Sequence, residues 1–226
     1  MELESNKVFI AVIFLLLIGV IVAVVLVTTG NAGSTGSGNG DTISSSSIIG
    51  NFEVSLTNDA MDFSSYINTA ANTWSSIISD FNVIPITFRV DTTSGNVLAY
   101  AWMNDSSNIF GGGVITLGSG ISNPTGGWAN IIEHEIGHVL GIGSSTIWTS
   151  AIQIDGGGNR TLNRSTFPNA GEAYDDLINA GKVTGTVGED IPLSDANDLG
   201  HDDGGDHWDE TIFDDELMTP ITDSMM

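Results

Sequence analysis

The chain has 226 residues, no cysteine, and 28 Asp and Glu against five Lys and Arg, giving a formal net charge of -23. So acidic a chain lacks the basic footprint that phosphate backbones require, which argues against nucleic acid as a partner. Without cysteine, neither a disulfide nor a thiolate metal ligand is available, so any metal must be held by His, Asp or Glu. Apolar residues make up 41% and charged residues 15%, a composition that suits one folded domain with a full core.

Residues 8–27 run VFIAVIFLLLIGVIVAVVLV, twenty positions without a charge. At 1.5 Å per residue such a helix spans about 30 Å, the thickness of a bilayer core. An uncleaved membrane anchor is expected, with a cleaved signal segment as the alternative, since Gly30-Asn31-Ala32 offers small residues for cleavage. Lys7 on the N-terminal side favours that end in the cytosol and the rest outside. The division expected is an anchor or signal over 1–27, a flexible Gly/Ser-rich linker over 28–49, and a folded domain over 50–226.

Within the domain, residues 52–56 read as a strand, and Phe63, Tyr66, Ile67, Ala70, Trp74, Ile77 and Ile78 fall on one helical face. Residues 86–90 and 97–103 are rich in β-branched and aromatic side chains, and 113–117 is a shorter strand bracketed by glycines. A second helix is expected over about 128–140. Beyond Gly141 the chain reads as loop-rich, with one short helix over 172–180.

Residues 131–143 read IIEHEIGHVLGIG and contain His134-Glu135-Ile136-Gly137-His138. On a helix, positions i and i+4 share a face, so both imidazoles can reach one metal ion while Glu135 sits one step around, a spacing that zinc hydrolysis uses. Gly141 lets the helix end in a left-handed turn that sends the chain beneath the metal. Three residues further on stands Ser144, a poor metal ligand, so a third ligand must come from elsewhere. The candidates are His207, His201, and a carboxylate such as Glu172 or Glu189; Glu172 on its short helix would give a gluzincin-like site.

Residues 204–220 read GGDHWDETIFDDELMTP, and here the chain resembles the leishmanolysins, a metzincin family of zinc peptidases. His207-Trp208-Asp209-Glu210 and Glu216-Leu217-Met218-Thr219 stand in that family's order. Phe167, Gly171, Tyr174 and Ile191-Pro192-Leu193 are similar to its long insertion, and residues 70–74 resemble its first helix. The resemblance covers roughly residues 50–222. It implies His207 as the third ligand and Met218 as an apolar floor beneath the metal, although Met218 read alone is equally a core residue. Two departures stand out: thiolate latency is impossible without cysteine, and the chain stops soon after the methionine turn, so a C-terminal domain of longer members is not expected.

The resemblance implies an α+β fold with a mixed, twisted N-terminal sheet, an active-site helix and a loop-rich C-terminal part. It further implies a zinc-dependent endopeptidase acting on protein or peptide substrates, with Glu135 as general base. Residues 111–117 are expected to form the edge strand that receives the substrate. The rival from another class is a silent, membrane-tethered adhesin or binding module on the same fold. Ten acidic residues fall within 195–216, a solvated loop or a Ca2+ site.

Overall fold

The structure is a computed structural model and describes residues 43–78, 83–91, 98–108, 110–118, 127–195, 204–213 and 217–219. The expected membrane segment, His201, and residues 196–203 and 214–216 of the acidic run lie outside the described residues. Among the described residues, no helix is long and apolar enough to cross a membrane.

The first half is a five-stranded mixed sheet made of β1 (Ile43–Ile49), β2 (Phe52–Thr57), β3 (Ile84–Asp91), β4 (Ala99–Met103) and β5 (Gly113–Gly118), in the order β1-β2-β3-β5-β4. β2, β3 and β5 run parallel, and the two edge strands are antiparallel to their neighbours. Alternate residues explain how it packs. Phe52, Val54 and Leu56 of β2, Ile84, Ile86 and Phe88 of β3, and Ile115 and Leu117 of β5 are buried in one core shared with two helices, α1 (Ser64–Ile77) and α2 (Gly127–Val139). Period-two burial on strands and Ile67, Ala70, Ala71 and Trp74 at helical spacing on α1 are the two patterns expected when helices cover one face of a sheet. A 3-10 turn over Asn58–Phe63 leads into α1, and Phe63 meets Trp128 at the start of α2 edge-on, 4.7 Å between ring centroids.

Three expectations need correction. Residues 43–49, read as the end of the linker, form strand β1. Ser45, Ser46 and Ser47 pair in the ladder with β2, Ile49 is buried, and the Gly50-Asn51 turn is tied to α1 through Ser75, whose hydroxyl accepts from Asn51 N–H and donates to Ile49 O. Serine content marks a linker only where no partner strand lies beside it.

The strand containing residues 113–117 is not the edge of the sheet. β5 is paired on both sides, and the edge next to it is β4. Its glycines reflect close packing rather than exposure: a Cβ at Gly113 would overlap the Trp102 carbonyl and Val139, and one at Gly112 (φ +72°) would overlap Pro85.

The C-terminal half also holds more regular structure than its sequence suggests. It contains α3 (Thr146–Ala151), a three-stranded antiparallel sheet of β6 (Ile152–Ile154), β7 (Arg160–Leu162) and β8 (Ile191–Leu193), α4 (Pro168–Asn179) and the single turn α5 (Glu210–Phe213). Strands of three residues are too short for their alternation to stand out. This half is organised around an aromatic chain: Trp148 packs on Phe167 and Trp208 at 5.9 and 5.0 Å, Trp208 on Phe213 at 5.7 Å, and Phe213 on Tyr174 at 5.6 Å.

Candidate metal centre

α2 carries His134, Glu135 and His138 and ends in a Schellman turn. Ile142 N–H donates to Gly137 O at 3.1 Å, Gly141 N–H donates to His138 O at 2.9 Å, and Gly141 has φ +98°. The chain then passes under the helix end. Gly143 (φ +75°) lies so close to the Asp206 carbonyl that a Cβ there would overlap it, and this contact seats residues 204–208 against the helix. Main-chain bonds fix the segment further: Ser194 N–H donates to His207 O at 3.0 Å, Trp208 N–H donates to Met218 O at 3.0 Å, and Trp148 Nε1 donates to Gly205 O at 2.8 Å.

These elements bring His134, His138 and His207 together. Their Nε2 atoms stand 3.0, 3.1 and 3.2 Å apart. Each Nδ1 donates outward: His134 to Leu217 O at 2.7 Å, His138 to Ile142 O at 2.8 Å, and His207 to a carboxylate oxygen of Asp206 at 2.8 Å. With the proton held on Nδ1, all three Nε2 lone pairs converge on one point, which is unfavourable unless a cation sits among them. Among the described residues this is the one group placed to hold a metal ion. Burial, then the neighbouring imidazoles, push the His134 pKa well below its usual value, and burial with His207 brings His138 down to about 4, so both rings are neutral donors at ordinary pH. Burial pulls the Asp206 carboxyl upward, but its bond from His207 and the nearby imidazoles hold it below the usual carboxylate range.

Glu135 is buried beside the cluster, and its Oε2 has no hydrogen-bond partner in the protein. Burial pushes its carboxyl up to about 8. A buried carboxyl with an unpartnered oxygen, one position after His134, is a group that a packed core does not ordinarily leave unsatisfied. Comparison of the chain with protein-family models, curated proteins and solved structures gave no match.

Met218 is buried with its sulfur directly against Gly137, where a Cβ would come within 2.5 Å of it. Glycine between His134 and His138 therefore makes room for the Met218 sulfur, and Trp74, also close to Gly137, donates Nε1–H to Glu133 O at 2.8 Å. Ser144 donates to the His138 carbonyl and takes a capping role rather than a ligand's. Glu172 on α4 and Glu189 in the loop before β8 are exposed and stand outside the histidine cluster. Sequence reasoning missed Asp206, whose position beside His207 was its only signal within the acidic run. It also missed Gly143, whose role depends on a contact 63 positions further along the chain.

Proposed function

We propose that this chain is a zinc-dependent endopeptidase of the metzincin kind, leishmanolysin-like in taking its third histidine from a distant segment. The observation that carries the reading is the convergence of His134, His138 and His207 through Nε2, with the buried Glu135, whose Oε2 is unpartnered, one position after His134. Neutral imidazoles only, with separations near the roughly 3.3 Å expected for tetrahedral Zn–N bonds of 2.0–2.1 Å, suit Zn2+ better than the oxygen-seeking Ca2+ or Mg2+. When bound, zinc supplies a Lewis acid that polarises a peptide carbonyl and acidifies water.

The chain's own residues do the rest. Glu135, held in its carboxylate form by a cation at the three histidines, would take a proton from the attacking water and return it to the leaving amine. The Nδ1 bonds of the three histidines keep their rings fixed while charge develops nearby. Among the described residues no strand pairs with the outer edge of β4, Ala99–Met103, and an extended peptide added there would be aligned by main-chain hydrogen bonds whatever its side chains.

The test is metal analysis of the purified full chain together with casein cleavage, with and without a chelator. Stoichiometric zinc and chelator-sensitive cleavage are expected. Bound metal without cleavage would favour the adhesin-like alternative, and no bound metal would remove the reading altogether.

We place the catalytic domain outside a membrane, tethered by residues 8–27. Protease treatment of intact cells should release it. Recovery as a soluble protein with its N-terminus intact would rule the tether out.

A further inference from the structure

The three histidines are not supported alike. The rings of His134 and His138 are held by main-chain carbonyls, those of Leu217 and Ile142, which are neutral and fixed by the backbone. His207 alone is held by a charged side chain, that of Asp206, at 2.8 Å. Its position also differs, because His134 and His138 sit on a helix that limits their rotamers, whereas His207 sits outside any helix or strand. Its backbone is pinned by the Ser194 N–H bond to His207 O, and that of Asp206 by the close approach of Gly143. What the backbone leaves open is the rotation of the ring, and the Asp206 carboxylate is the group that sets it.

We infer that Asp206 is a positioning residue of the metal centre: through its carboxylate it fixes the His207 ring with Nε2 facing His134 and His138, and it adds one negative charge behind an otherwise neutral ligand set. The inference rests on the metal-centre reading above. A carboxylate behind an imidazole makes that ring a stronger donor and orients it, and loss of such a partner weakens metal binding about 10- to 100-fold. Asp206 itself does not join the ligand set, since its near oxygen is occupied by Nδ1.

The experiment measures the zinc dissociation constant of the full chain in detergent by competition with a chromophoric chelator, for the parent, Asp206→Ala and Asp206→Asn. The visible spectrum of the Co2+-loaded forms and the melting of the chelator-treated forms are recorded alongside. Asp206→Ala should bind zinc about 10- to 100-fold more weakly with an altered Co2+ spectrum, while melting of the metal-free protein stays as in the parent. Asp206→Asn keeps an oxygen that can accept from Nδ1 but loses the charge, so it should fall between the two, and it decides the matter if Asp206→Ala does not fold. Zinc affinity within twofold of the parent in the folded variants would overturn the inference. So would a lower melting point of the metal-free variants with no change in metal affinity, which is what a merely structural role predicts. If the parent itself holds no stoichiometric zinc, the metal-centre reading fails and the inference with it; if the parent holds zinc and the variants match it, only the inference fails.

Discussion

Replacing Glu135 with Gln should leave a folded, zinc-loaded protein whose peptide hydrolysis falls by about 10²-fold or more, within the 10²- to 10⁴-fold range that a positioned proton-transfer group contributes. Glutamine has nearly the same volume and shape, so the core around a side chain that is only 6% exposed is preserved. The three Nε2 atoms that converge all belong to histidines, so ligation does not need the carboxylate. What the amide cannot do is accept and release a proton. Casein or peptide kcat/KM measured beside zinc content separates the two roles. A variant with parental activity would remove Glu135 from the chemistry, and one that loses zinc would make it a ligand.

A still larger loss is expected for His207→Ala. It deletes one of three donors and leaves the Nε2 atoms of His134 and His138, 3.1 Å apart, with no third partner. Structural zinc sites bind with about 10–16 kcal/mol, so losing a third of the ligand set should cost on the order of 3–5 kcal/mol, or two to four decades in affinity. Stoichiometric zinc and cleavage should both disappear. His201→Ala serves as the comparison, because His201 was the rival histidine in the sequence, and both properties should survive it. The reverse outcome would transfer the third ligand to His201. Zinc retained in both variants would bring back Glu172 or Glu189, against their exposed positions.

How much of this was legible in the sequence depended on distance along the chain. The helix bearing His134 and His138 was readable because both its burial pattern and its ligand spacing are local, and the Gly141 turn followed from the need for a positive φ after the last helical residue. The strands read over 52–56 and 86–90 were legible for the same reason, as runs of alternating or β-branched residues, and the structure extends them to Phe52–Thr57 and Ile84–Asp91. Features set by contacts between distant segments were not. Whether β5 or β4 forms the edge is decided by β3 binding β5, which no local pattern states. The role of Gly143 is written in the carbonyl of Asp206, and that of Gly137 in the sulfur of Met218. The serines of β1 resembled a tether because only β2, several residues later, turns them into a ladder. Choosing His207 over His201 drew on resemblance, since residue type and spacing allowed either.

The separation of the ligands along the chain has a mechanical side as well. His138 and His207 lie 69 positions apart, so an ion bound to both closes a loop across most of the C-terminal half of a chain that has no cysteine. Treated as a cross-link, a closure of that length removes about 4 kcal/mol of unfolded-state entropy, comparable to a disulfide spanning the same residues. The ion would then act as a staple, fastening the half built on aromatic rings to the half built on the sheet. Stripping it should lower the melting temperature even in Glu135→Gln, where no catalysis is left to lose, and identical melting with and without a chelator would show that the two halves hold together unaided.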